Sequence, residues 1–593
     1  VTVRISRDSR RSDRIRVDAP LHYNDLIRSI PGASWSNVDG YWTIPLAWTA
    51  CLASRSIFRN DLDIAPDLLE WAVDERARRI DPAMSLRDAL DAPGDPALYP
   101  HQRAGVEFLV TAERALLADE PGVGKSLQAL RALKKLHDDG KDVFPVLLVC
   151  PNSMKRTWKR EFAAWWPEVT TVVVDGTAVQ RRKQLDSGAQ VVIINWEALR
   201  SHSRLARYGS LALRACAACG GSSVINERQC QVHERELNRI EFRSVVADEA
   251  HRAKSPKAQA TLALRGATGD APYRFALTGT PISNTPDELW SILHWMDPAE
   301  WPAKSRWMDR MVNFSLNVWG GLEVTGLKPE AEAEFQAGVH PRMRRMTKEV
   351  VLASLPEKVF ERRDVPVTGR QLTAYRQMSE DLIAKLDSGI LLSANPMVQT
   401  GRLIQFASSM GDVLVDETGA ERLVLTAPSS KIDAFMSDLE DFSGRSVVVF
   451  AQSRQLINLL SAEMLRKQIR HGLITGDQNT DQRQQAIDGF QRGDFQFMLC
   501  TIQAGGVGIT LTKASVAVFL QRSWSPIDME QAYNRVHRIG SEAHDSVLIV
   551  NYVAPGTVEE AQLWALDHKN GLLQQIVHDE DLMRKFLRGE ING

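Results

Sequence analysis

Asp119-Glu120-Pro121-Gly122-Val123-Gly124-Lys125-Ser126 lies between a short apolar run, Ala115 to Ala118, and a helix-like run, Leu127 to Leu136. A strand, a glycine turn and a helix in that order make a phosphate cradle. Gly122 and Gly124 free backbone N–H groups to wrap a phosphate at the helix N-terminus, Lys125 reaches the β- and γ-phosphates, and the Ser126 hydroxyl suits magnesium. The pattern G-x-x-x-x-G-K-[ST] fails at one position, because Asp119 stands where its first glycine belongs. A glycine turn capping an ordinary helix would read the same way, so the rest of the chain decides.

The 593 residues exceed what one hydrophobic core can organise and imply about three or four domains. No apolar run approaches the roughly 18 residues that span a bilayer. The arginine-rich beginning (Arg4, Arg7, Arg10, Arg11, Arg14, Arg16) has no apolar signal core. The expectation is a soluble intracellular protein with no membrane partner. A net charge of -2 excludes a uniformly basic nucleic-acid binder but not a large protein with its positive charge confined to a cleft.

Residues 1–90 read as a separate module, with a basic strand-like start and turns at Pro31-Gly32 and Asp39-Gly40. Its tryptophans are expected in a core. Asp91 to Pro96 reads as a linker. Gln102 follows about 20 residues ahead of the cradle; a glutamine amide can pair with an adenine edge, or simply sit on a helix surface. Beyond the cradle, apolar runs at 146–149, 172–174, 191–194, 245–247 and 275–277 alternate with helical stretches, the pattern of a parallel sheet covered by helices. Lys155, Asn195 and Trp196 come just after two of these strands, where open α/β sheets collect ligands. Asp248-Glu249-Ala250-His251 ends another. One carboxylate there can hold magnesium while its neighbour deprotonates an attacking water. Thr278-Gly279-Thr280 ends the next strand and can couple nucleotide state to movement.

Between Asn195 and Asp248 lies an insertion, residues 210–237, with Cys216-x-x-Cys219 and Cys230-x-x-His233. Three thiolates and one imidazole at this spacing suit a closed, structural Zn²⁺ site. Five tryptophans fall between 290 and 319, where little strand character is visible and helical core packing is expected over base stacking. Arg342, Arg344, Arg345 and Lys348 form a basic run that either touches phosphates or is a solvated face. A second alternating half begins near Val365, with strands expected at 446–450, 473–475, 497–500, 516–520 and 547–552. The region 371–425 reads as mainly helical, with a hairpin or loop near 411–422. In this half Thr501 precedes a glycine-rich turn that includes Gly508, Trp524 follows a strand, and Gln531 to Gly540 reads as a helix carrying Arg535 and Arg538 on one face.

Taken together, "DEPGVGKS", "DEAH", "LTGTP", "TIQAGGVGITLT" and "QAYNRVHRIG" resemble the SWI/SNF-type ATPases of helicase superfamily two, in the family's order, over residues 95 to 575. "RMRRMTKEVVLASLP" also looks like that family. The family opens its phosphate loop with Asp-Glu, which accounts for Asp119. "IPGASWSNVDGYWTIPL" resembles the small HARP-type module found beside annealing helicases. The resemblance implies an α/β fold with two RecA-like lobes, 91–355 and 356–593. Helical protrusions would lie near 285–345 and 370–430, with the HARP-like module at 1–90 and the zinc insertion outside the family core. It implies a DNA-dependent ATPase using ATP and Mg²⁺: Lys125 and Ser126 on phosphates and metal, Asp248 on the metal and Glu249 on water. Arg535 and Arg538 would act on the γ-phosphate, and Gln102 and Gln531 on nucleotide. Lys155, Asn195, Trp196, Ser453, Thr501 and Trp524 are the implied DNA contacts, and His251, Thr278, Gly279, Thr280 and Gly508 the coupling residues. Double-stranded or branched DNA is the expected partner of a monomer that also meets replication or repair proteins. The expected setting is bacterial or phage cytoplasm, with the nucleus as the alternative. A strand-separating helicase and an ATP-switched scaffold are the rival activities. Ser541 departs from the family's usual Gly-Gln ending.

Overall fold

The computed structural model describes residues 2–205, 235–279, 286–316, 322–352, 355–381, 383–386, 389–392, 396–415, 421–505, 509–560 and 562–563. The described residues form two compact units, one up to Val351 and one from Leu352 onward.

The first unit begins with a small sheet of β1 (Val3–Arg7), β2 (Arg14–Asp18), β3 (Ser34–Ser36), β4 (Tyr41–Pro45) and β5 (Leu62–Ile64), in the order β3-β4-β2-β1-β5. Only β5 runs parallel to its neighbour. The alternation of the arginine-rich start is that of a half-buried strand pair. Val3, Ile5, Ile15 and Val17 are buried while the arginines between them face out or partly out. Trp42 joins this core, whereas Trp35 stays 43% exposed and meets Trp42 edge-on at 5.5 Å.

The second sheet is built from β6 (Arg114–Leu117), β7 (Val146–Cys150), β8 (Thr171–Val173), β9 (Val191–Asn195), β10 (Ser244–Asp248) and β11 (Tyr273–Leu277). A hairpin of β12 (Val312–Leu316) and β13 (Leu322–Leu327) follows, and then the short β14 (Met343–Arg344), which joins the sheet. Its order is β14-β6-β11-β10-β7-β9-β8, and every pairing is parallel. Strands buried on both faces need continuous apolar runs, which is why β6, β7, β9, β10 and β11 were legible in sequence. Sheet faces and helices enclose two apolar cores. Trp290, Trp295, Trp301 and Trp307 are all buried in one of them; Trp319 lies outside the described residues. The region near 285–345 is not purely helical, because β12 and β13 pair between its helices.

The small N-terminal sheet is docked on this unit. Glu300 is buried, and its carboxylate accepts from the N–H groups of Trp48 (3.0 Å) and Thr49 (2.8 Å), capping the helix Trp48–Phe58. The stretch read as a linker is pinned, with Asp91 ion-paired to Arg103 and Asp95 to Arg131.

The second unit opens with β15 (Glu357–Asp364), then two hairpins, β16 (Ile383–Leu386) with β17 (Gly389–Leu392) and β18 (Met410–Val415) with β19 (Glu421–Thr426). The region 371–425 is therefore richer in strand than expected. β20 (Val447–Ala451), β21 (His471–Ile474), β22 (Phe497–Thr501), β23 (Val516–Phe519) and β24 (Ser546–Val553) complete a sheet of order β15-β24-β23-β20-β22-β21, parallel throughout. Both large sheets with their covering helices are the RecA-like α/β arrangement. Among the described residues no helix is long and apolar enough to cross a membrane.

Candidate active site

β6 delivers the glycine loop. The chain turns through Gly122 (φ +94°) and Gly124 (φ +91°), and Gly124 is the left-handed residue that starts the helix Lys125–Asp138. A side chain at Gly124 would be strained by that φ, and its Cβ would collide with the Gln102 amide. Lys125 Nζ donates to the loop carbonyls of Asp119 (2.6 Å) and Glu120 (3.0 Å). Burial pushes its pKa down, against the nearby carboxylates of Glu249, Asp119 and Asp248. An ammonium at the N-terminus of a helix is suited to hold a polyphosphate.

Gln102 sits in the first turn of the helix Pro100–Ala112, buried. Its Nε2 donates to the Val123 carbonyl (3.1 Å), and its Oε1 accepts from the Tyr99 N–H (3.2 Å). His101 also lies 3.1 Å from the Val123 carbonyl. The amide expected to meet adenine is thus engaged with the loop itself in this structure.

β10 lies two strands from β6, with β11 between them, and parallel pairing brings all three C-terminal ends to one edge. Asp248 is buried there. Trp158 Nε1 donates to its Oδ2 (2.9 Å), the Glu249 N–H to its Oδ1 (3.0 Å) and Trp196 Nε1 to its carbonyl (2.9 Å). Burial, with the neighbouring Glu249 charge, pushes the Asp248 pKa up to about 6, while the Trp158 bond and Lys125 oppose it. Glu249 adopts φ +53°, ψ +51°, a left-handed conformation that a residue with a Cβ enters at a cost, and such strain gathers at functional turns. His251 Nδ1 lies 3.3 Å from Glu249 Oε2 and 3.2 Å from Thr278 Oγ1. The strand ends of β10 and β11 therefore share a polar contact through His251. A Cβ on Gly279 would come 2.7 Å from Pro121, so the glycine lets the turn after β11 lie against the phosphate loop. Thr280 lies outside the described residues.

The expected DNA contacts divide. Lys155 is buried, donating to the Val174 carbonyl (3.1 Å) and paired with Asp175 (3.2 Å). It lines an open cavity of about 340 Å³ with Asn152, Arg181, Asn195 and Glu197. Asn195 Nδ2 donates to Glu197 Oε2 at 2.7 Å. Trp196 is corrected: at 2% exposure, with its indole on the Asp248 carbonyl, it has no surface for DNA and instead steadies the acidic turn. In the second unit Ser453 caps the helix Arg454–Arg466, the Thr501 hydroxyl accepts from the Ala504 N–H, and Trp524 is 39% exposed. Gln531 and Arg535 lie on the helix Pro526–Val536, with Arg538 just past its end. Arg535 donates to the carbonyls of Gln531 (3.1 Å) and Ile509 (3.2 Å). Gly508 lies outside the described residues, as do Cys216, Cys219, Cys230 and His233. Among the described residues no group of three or more His, Cys, Asp or Glu side chains is arranged to hold a metal ion.

The basic run at 342–348 is not a solvated face. Arg342, Arg344 and Lys348 are buried, and Arg344 is ion-paired with Asp119 at 3.1 Å, both side chains fully enclosed. Arg345 donates to the carbonyls of Ala118 and Gly279, each at 2.9 Å. The missing first glycine was the one sequence signal for this arrangement: an aspartate opening a buried loop requires a cation.

Residues 101–410 match the SNF2-related domain, and residues 430–540 the helicase conserved C-terminal domain. Chromodomain-helicase-DNA-binding protein 8 of Rattus norvegicus is 29% identical over 75% of this chain and 17% of its own length. The putative ATP-dependent helicase/translocase YwqA of Bacillus subtilis is 25% identical over 83% of this chain and 50% of its own. This chain thus spans half or less of these relatives. Among solved structures, the Sulfolobus solfataricus SWI2/SNF2 ATPase core in complex with dsDNA is 23% identical, covering 84% of this chain and 97% of that one, with a TM-score of 0.35. With the SNF2-related match covering more than half of its 593 residues, the chain belongs to the SNF2-related family of helicase superfamily two.

Proposed function

We propose that this chain is a DNA-dependent ATPase whose hydrolysis cycle drives movement along double-stranded DNA. The observation that carries the reading is the shared sheet edge where half-buried Lys125 lies within electrostatic reach of Asp248 and Glu249. Oxygen-only donors, Ser126 and the buried Asp248, suit a hard cation such as Mg²⁺. Bound there, magnesium supplies neutralisation of charge on the β- and γ-phosphates. Lys125 holds the same phosphates and Glu249 takes the proton of the attacking water, while the family resemblance assigns Arg535 and Arg538 to charge developing on the γ-phosphate. The open cavity lined by Asn152, Arg181 and Asn195 supports a backbone contact to DNA, with buried Lys155 held on Asp175 at its wall.

The finer reading is remodelling or annealing of branched DNA, or displacement of bound protein, with residues 1–90 engaging the branch as a HARP-like module would. A structural Zn²⁺ on Cys216, Cys219, Cys230 and His233 rests on their spacing. Duplex-stimulated ATP hydrolysis tests the motor, since an ATP-switched scaffold would bind without turnover. Displacement of a triplex strand without unwinding of a duplex separates a translocase from a strand-separating helicase. Absence of DNA-stimulated hydrolysis overturns the proposal.

A further inference from the structure

Arg344 reaches two separate parts of the first unit from one buried guanidinium. Its Nη1 meets the Asp119 carboxylate at 3.1 and 3.4 Å, its Nη2 donates to the Ala89 carbonyl at 2.9 Å, and its Nε to the Leu86 carbonyl at 3.4 Å. Leu86 belongs to the helix Asp81–Arg87, the last element before the pinned stretch that leads to the phosphate loop's own unit of sheet. Asp119 is the loop's first residue. It also accepts from the Met346 N–H (2.9 Å) and Gln128 Nε2 (3.3 Å), and Gln128 lies in the helix that the loop caps. Backbone bonds from Ala118 N–H to the Arg344 carbonyl and from Glu120 N–H to the Met346 carbonyl fasten β14 alongside the loop entrance.

We propose that Arg344 is a positioning residue that couples the end of the N-terminal module, residues 81–90, to the nucleotide loop through Asp119. The physical reason is the fixed geometry of the guanidinium. Its planar fork cannot follow a shift of Leu86 and Ala89 without turning away from Asp119, and with both side chains enclosed no water replaces a lost partner. Movement of residues 81–90 is thereby felt at the turn whose N–H groups hold phosphate. Coupling of this kind is reciprocal: if the module's position changes nucleotide affinity, nucleotide changes the module's stability by the same factor.

The inference rests on the nucleotide-binding reading, and the test separates the two. Hydrogen exchange is followed on the full chain with and without saturating Mg-ATP, beside equilibrium binding of Mg-ATP. The expected result is slower exchange at residues 81–90 as well as at 119–126 when ATP binds. Arg344→Lys, which keeps the charge but has a single nitrogen, is expected to raise the ATP dissociation constant about tenfold while leaving kcat at saturating ATP within about twofold, and to abolish the ATP-dependent protection of 81–90. ATP that binds the wild-type chain and protects 119–126 but not 81–90 overturns the coupling alone, whatever the variants do. A wild-type chain that binds no ATP overturns the nucleotide reading and the coupling with it.

Discussion

Lys125 and Glu249 share one sheet edge but serve different moments of the proposed cycle. The lysine touches phosphate in the ground state, whereas the glutamate acts on water as the bond breaks, so their loss should divide binding from turnover. Lys125→Ala is expected to abolish both ATP binding and hydrolysis. Glu249→Gln should keep ATP affinity within about threefold while hydrolysis falls by about 10² to 10⁴, the usual weight of a general base. Equilibrium binding beside single-turnover hydrolysis checks this, and equal loss of binding in both variants would contradict the roles. The positions of these two residues were legible because a glycine turn after one apolar run and an acidic pair after another are local patterns. The bonds of Trp158 and Trp196 to Asp248 were not, because they join residues 90 and 52 positions apart whose only local signature is apolar bulk.

Elements were legible to the degree that burial imposed a pattern on them. β10 carries Ser-Val-Val-Ala-Asp, buried at every position, and read as a strand at once. β15 carries Glu-Lys-Val-Phe-Glu-Arg-Arg-Asp and did not, because it is the edge strand of its sheet, largely exposed, and keeps charges that blunt the edge. In sequence β14 reads only as part of a basic run, since two residues are too few to show a period. At this scale the packing of the helix Asp81–Arg87 has a pH signature. His340 accepts from Arg87 at 3.2 Å, and burial, then the Arg87 charge, push its pKa down to about 4, with Asp88 opposing. The folded value lies below the ordinary 6.5, so the stability from neutral His340 is fully present above pH 6.5 and is lost as pH falls toward 4. Thermal melts of the first transition should show that loss, and His340→Gln should flatten it between those limits. For the cysteine insertion, one zinc per chain is expected after purification without chelator. Cys216→Ser or Cys230→Ser should release it, with proteolysis appearing near residues 210–235, because structural zinc supplies folding free energy. Metal analysis that finds no zinc ends that reading.

For the molecule as a whole, the N-terminal module has its own sheet and core but is joined to the rest by a pinned stretch rather than a free linker. Read as a separate domain on a linker, residues 1–90 should be dispensable for hydrolysis on plain duplex DNA. In the structure, removing them strips Glu300 of the Trp48 and Thr49 donors and Arg344 of the Leu86 and Ala89 acceptors, leaving two buried charges under-satisfied. Truncation at residue 90 is therefore expected to raise the KM for ATP on plain and forked DNA alike, with a further loss on forked DNA alone if the module also engages branches. Undiminished hydrolysis on plain duplex would show that the docking carries no functional load. In the second unit, Arg538→Ala is expected to lower DNA-stimulated hydrolysis by about 10³ to 10⁵ while ATP binding changes little, the signature of a group acting on the transition state. Near wild-type turnover on saturating duplex would remove Arg538 from the catalytic set. The two parallel-sheet units, the glycine loop and the acidic strand end were legible in the residues alone, because burial and phosphate chemistry both write themselves into short, local patterns. The places of Asp119, Trp196 and Arg344 came into view with the packed fold. A buried charge or indole has to find its partner wherever the fold supplies one, and for Asp119 that partner stands 225 residues away.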